Sequence, residues 1–103
     1  MTDHHEVPFE EHDGKKIYLL PKADAIVDPK QEDCAYPFKS LCGTGVAYQL
    51  MTLLFRRMKR TMSCQEIFLQ YTAIATVADV MELVGENRIL VRKGLSYLIT
   101  QTI

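Results

Sequence analysis

A chain of 103 residues suits one small domain, and its 48% apolar and 24% charged content is that of a globular protein rather than a disordered one. The formal net charge of −1 excludes a wholly basic nucleic-acid binder, yet the charge is segregated. Acidic residues crowd the first third, while cations gather at Arg56, Arg57, Lys59 and Arg60 and again at Arg88, Arg92 and Lys93. Cys34, Cys42 and Cys64 form no CxxC pair, no apolar run approaches the roughly eighteen residues of a membrane span, and no secretory pattern opens the chain. These features predict buried or semi-buried thiols in a cytoplasmic protein with no membrane partner.

In chain order, Thr2-Asp3-His4-His5-Glu6 comes first, a carboxylate beside two adjacent imidazoles. Such groups are ordinary ligands of Mn²⁺, Zn²⁺ and Fe²⁺. Neighbouring histidines point apart in a strand and splay in a turn, so they divide the work: one ligates, one reaches a substrate anion, and Asp3 ligates or orients an imidazole. The same residues also suit a solvated acidic tail, because Glu6, Glu10, Glu11, His12 and Asp13 continue the polar run. Val7 to Lys22, punctuated by Pro8, Gly14 and Pro21, reads as a loop with a short extended piece at Ile17 to Leu20. Ala25-Ile26-Val27, closed by Asp28-Pro29, reads as a brief buried strand, and Lys30 to Pro37 as another loop.

Past Pro37 the periodicity becomes helical. Val46, Ala47, Leu50, Met51, Leu54 and Met58 form one apolar face, with Thr44 as the expected N-cap and four cations at the end that complement the helix dipole. The Gly43-Thr44-Gly45 entry fits either a simple turn or a close approach to an anion. Ser63-Cys64-Gln65-Glu66 has the form of a capping box, so a second helix starts there, with Ile67, Tyr71, Ile74, Ala78 and Met81 as its apolar stripe. Asp79 follows on the side of Thr72 and Thr76, either as an exposed helical residue or as a buried metal ligand. Gly85-Glu86-Asn87-Arg88 opens a third helix, with Leu90, Val91, Leu95, Leu98 and Ile99 facing inward. A cation at Arg88 opposes the positive end of that helix, which suits either an anionic partner or a plain surface arginine.

Five collinear blocks carry a family resemblance: Thr2–Glu6, Ala25–Lys30, Asp33–Ala47, Thr76–Val80 and Gly85–Val91. Together they resemble the DHH phosphoesterase domain of the RecJ family, bacterial exonucleases specific for single-stranded DNA. The resemblance implies an α/β parent domain with a mainly parallel sheet. This chain would form its C-terminal half, mostly helical with one or two short strands, divided into residues 1–37 (metal motif, loops and a short strand) and 38–103 (three helices). It also implies 5′-to-3′ phosphodiester hydrolysis with two divalent cations, Mn²⁺ or Mg²⁺, in DNA recombination and repair. Carried over, His4 and Asp79 ligate metal, His5 faces the scissile phosphate, Asp3 belongs to the same motif, and Gly43, Gly45 and Arg88 help hold phosphate.

The family's first two aspartate motifs should precede Asp3, and the DHHA1 domain and nucleic-acid-binding module should follow; this sequence contains none of them. The expectation is therefore a part that is inactive alone and poorly soluble or oligomeric, with a missing N-terminal half as possible partner. The alternatives are a non-enzymatic binding or regulatory remnant of the scaffold, or a DHH phosphoesterase acting on oligonucleotides or cyclic dinucleotides.

Overall fold

The computed structural model describes residues 1–101. Phe9–His12 (β1) and Lys15–Tyr18 (β2) form an antiparallel hairpin, followed by helices Gly43–Arg57 (α1), Gln65–Ala78 (α2) and Gly85–Gln101 (α3). The chain is thus mostly helical with two short strands, as expected of an α/β part.

The hairpin differs from the expected loop. Asp13 and Gly14 both take positive φ, 52° and 77°, the pairing of a tight hairpin turn whose twist matches the flanking strands. The Asp-Gly dipeptide was the available signal. Ala25–Val27 does not become a buried strand. Val27 makes a single parallel bridge to Thr2, its N–H donating to the Met1 carbonyl and its own carbonyl accepting from Asp3 N–H, and its side chain is exposed. With Pro29 stopping the ladder, the bridge stays isolated.

Helix α2 packs on its small side chains rather than on its expected apolar stripe. Leu69, Thr72, Ala73 and Thr76 are the buried side of α2, whereas Ile67, Tyr71 and Ile74 of the expected stripe are 54%, 62% and 51% exposed. Gly94 of α3 explains the reversal: a Cβ there would collide with the Leu69 carbonyl oxygen and come within 2.5 Å of Ala73 Cβ. Two backbones approach this closely only through small residues, so the small face turns inward and the large one faces out. On α3, Leu90 and Val91 are buried as expected, but Leu95 and Ile99 are exposed. On α1, Val46 and Tyr48 enter the core while Leu50, Leu54 and Met58 remain exposed, because the core sits at the start of that helix around Leu41. The expected capping box is not formed: α2 starts at Gln65 after Cys64, which makes no side-chain cap. Of the thiols, Cys42 is buried and Cys34 half-buried, but Cys64 is exposed.

Polar anchors tie the loop before α1 to the start of α3. Asn87, fully buried, donates from Nδ2 to the carbonyls of Ser40 (2.7 Å) and Glu82 (3.0 Å). Glu86 accepts from the Tyr36 hydroxyl at 2.7 Å and from Gln49 Nε2 at 3.4 Å. Burial, reinforced by the Glu86 carboxylate, pushes the Tyr36 phenol above the usual tyrosine value.

Gly94→Ala should cost about 1–3 kcal/mol in urea denaturation, because overpacking against a backbone oxygen outweighs the ~1 kcal/mol gained in helix propensity. Since the folded Tyr36 pKa is raised, its contribution is fully present below about pH 10, the unfolded value, and is lost as pH rises through the folded one. Ultraviolet titration should show Tyr36 ionising above the usual tyrosine range, and Tyr36→Phe should flatten the loss of stability above that pH.

Candidate metal and phosphate site

Asp3, His4 and His5 leave the Thr2–Val27 bridge as a turn knotted by the Asp3 carboxylate. Asp3 Oδ1 accepts from the backbone N–H of His4 at 2.8 Å and faces His5 Nδ1 at 2.7 Å. An ionised carboxylate only accepts, so His5 Nδ1 carries the proton in this contact, on an exposed ring. The His5 ring, then the His4 amide, hold the Asp3 carboxyl below the ordinary carboxylate value. Asp3, His4 and His5 offer three ligand atoms within 4.8 Å of one another.

His4 turns the other way. Its Nε2 lies 3.3 Å from Asp79 Oδ2, a half-exposed carboxylate at the C-cap of α2. Asp79 is thus neither a solitary surface residue nor a fully buried one. On its far side the His4 ring meets the first turn of α1, where a Cβ added at Gly43 would lie 3.5 Å from His4 Cδ2.

Cys42 holds these elements in place. It is the N-cap of α1, in place of the expected Thr44, because the helix already begins at Gly43. Its sulfur accepts from Gly45 N–H at 3.4 Å and lies 3.4 Å from Thr76 Oγ1, whose hydroxyl donates to the Thr72 carbonyl at 2.7 Å. The donors and acceptors fit one direction only: Gly45 N–H to Cys42 sulfur, Cys42 S–H to Thr76 oxygen, Thr76 O–H to Thr72 carbonyl. The start of α1 is thereby fastened to the last turns of α2, one residue from Gly43 and three from Asp79. Neither Cys42 nor Thr76 was marked as functional by sequence, since cysteine is not a usual N-cap and a threonine inside a helix carries no signal of its partner.

The positive end of the α1 dipole meets His4 from one side and the negative end of α2 meets Asp79 from the other. Anions are favoured at the first and cations at the second, which suits a phosphate beside a metal ion. Gly45 has its N–H committed to the cap, and Arg88 is exposed and in no ion pair among the described residues. The cluster is an open surface. A cleft of about 450 Å³ lies between Ile26–Tyr36 and the Val46–Arg56 face of α1, and none of Asp3, His4, His5 or Asp79 lines it.

The chain is 41% identical over 98 residues to the single-stranded-DNA-specific exonuclease RecJ of Bacillus subtilis (strain 168), covering 95% of this chain and 11% of that protein. The chain is a stretch of RecJ-family sequence. The RecJ of Salmonella typhimurium is 41% identical and that of Escherichia coli (strain K12) 37% identical, each over 93% of this chain and 17% of the relative. The chain therefore spans about a tenth to a sixth of the length of these curated RecJ relatives. A comparison with protein-family models finds no match. No helix among the described residues is long and apolar enough to cross a membrane.

Thr76→Val should break the link from Cys42 to α2 at a cost of about 1–2 kcal/mol, because it removes both the contact with the Cys42 thiol and the hydroxyl's bond to the Thr72 carbonyl. The NMR signals of the distant His4 ring should shift in this variant while those of His12 on the hairpin stay fixed.

Proposed function

We propose that this stretch is part of a metal-dependent DHH-type nuclease that hydrolyses single-stranded DNA from 5′ to 3′ in bacterial recombination and repair. It works in the cytoplasm and is inactive until polypeptide outside residues 1–103 supplies further carboxylates. The observation that carries this reading is the meeting of His4 Nε2 with Asp79 Oδ2 at 3.3 Å, beside an Asp3–His5 pair and a helix N-terminus. Residues 1–37 supply the motif and residues 38–103 the helices that frame it.

The donor set fits a divalent cation, since imidazole nitrogen and carboxylate oxygen both suit Mn²⁺ and the carboxylates suit Mg²⁺. His4 and Asp79 would hold such an ion, with Asp3 joining them or serving His5 alone. Paired divalent cations, when bound, turn water into hydroxide and neutralise charge on the attacking and leaving oxygens. His5, held at Nδ1 by Asp3, would face the scissile phosphate. Gly43 lies beside the His4 ring in the first turn of α1, whose N-terminal end favours a phosphate oxygen, and Arg88 is an exposed further cation. Two protein ligands leave most of an octahedral shell to other groups, which is why the stretch alone is expected to be silent.

The apolar cleft at α1 and the isolated parallel bridge at Thr2 are surfaces for the remaining N-terminal half. That cleft, lined by none of the cluster residues, also favours a second reading, a non-enzymatic binding role on the same scaffold. Purified chain with Mn²⁺ and 5′-phosphorylated single-stranded DNA should show no hydrolysis. Adding the N-terminal polypeptide of a RecJ relative should restore release of mononucleotides, and His4→Ala or Asp79→Ala should lower that activity at least on the order of 100-fold. Hydrolysis by the chain alone would overturn the requirement for further carboxylates. Silence after complementation would favour the binding role.

A further inference from the structure

The cations at the C-terminal end of α1 are not absorbed by the chemistry at Asp3, His4 and Asp79. Arg56, Arg57, Lys59 and Arg60 supply four of the twelve Lys and Arg residues within five positions, and no Asp or Glu occurs anywhere from residue 34 to residue 65. All four are exposed, and none forms an ion pair among the described residues. A helix dipole explains cations in the last turn, and Arg56 and Arg57 lie there. Lys59 and Arg60 lie beyond it.

Lys59 adds an independent observation. The helix closes with Lys59 N–H on the Arg56 carbonyl at 3.1 Å and Arg60 N–H on the Phe55 carbonyl at 3.0 Å, the two-bond motif whose pivotal residue is left-handed and usually glycine. Here the pivot is a lysine at φ 53°. A β-carbon at this position is unfavourable, so the backbone is better served by glycine than by the residue present. The charge is kept where the fold is better without the side chain.

We propose that this end of α1 binds the phosphodiester backbone of single-stranded DNA, as a contact separate from the metal-binding cluster. The proposal rests on the nuclease reading for the identity of the polyanion. α1 itself sets the separation: from Gly43 beside His4 to Arg57 is about 21 Å at 1.5 Å per residue, a span of several nucleotides. A strand held at both ends of α1 is kept in register while its end is at the cluster.

The test is fluorescence anisotropy of labelled oligothymidylate with the purified chain across a NaCl series, without metal, so that it reads binding independently of hydrolysis. Wild type should bind at low salt. Arg57→Ser with Arg60→Ser should weaken binding and reduce the log–log salt slope by about 0.7 per cation removed. Lys59→Gly should weaken binding while raising the urea midpoint, a pair of opposite signs that a purely structural lysine does not produce. Helical content by circular dichroism should match wild type in both variants. Undetectable wild-type binding, unchanged affinity in the variants, or equal binding of anionic phospholipid vesicles would overturn the proposal. Failure of the complemented hydrolysis with the anisotropy pattern intact would instead count against the nuclease reading alone.

Discussion

Cys42 uses one sulfur to accept from the first turn of α1 and to donate to Thr76 in the last turns of α2, and the rest of the site depends on that junction. The His4 side chain, only 17% exposed, is positioned by what it meets: Gly43 on one side and Asp79 on the other. Those two residues come from different helices, and the sulfur contact keeps them at a fixed separation. Asn87 braces the same junction from α3 by gripping the Ser40 carbonyl just before Leu41 and Cys42. Asn87 Oδ1 has no partner among the described residues, so the brace is tight at one end of the amide and unsatisfied at the other.

The two helix ends make the site electrically asymmetric before any ligand arrives. A carboxylate at the end of α2 is opposed by the helix dipole, which makes Asp79 a better partner for a cation than for solvent. Val80, immediately after it, takes φ 53° with its side chain almost wholly in water. A β-branched residue is strained there, and the strain lies beside the carboxylate that terminates the helix. The local conflict and the unfavourable charge coincide at one turn, as they do where a sequence is shaped by something other than stability.

What was legible in sequence was whatever is carried by a local pattern. The three helices follow from spacing, and the Asp3-His4-His5 and Asp79 positions follow from blocks resembling a family. The choice of buried face on α2 was not legible, because it is decided by Gly94, far along the chain, which lets Leu69 and Ala73 come close and leaves Ile67, Tyr71 and Ile74 outside. Apolar size predicted the wrong side since shape at the contact outweighs hydrophobicity when backbones approach this closely. The cap at Cys42 was hidden for a similar reason: its second partner, Thr76, belongs to another helix. The hairpin was legible at Asp13-Gly14, but its strands are too polar to give an apolar alternation.

That hairpin stands apart energetically as well as spatially. Phe9 to Ile17 are exposed on both faces, and the strands are held by their own ladder, by Phe9 edge-on to Tyr18, and by Lys16 over the Phe9 ring. A two-stranded ribbon with little buried surface has an opening free energy near zero, whereas the helices share a core and open together. The molecule therefore comprises two cooperative units of unequal depth. Amide exchange in Phe9–Tyr18 reports only the shallow one, and a change at Phe9 or Ile17 alters its population without registering in the melting of the helices.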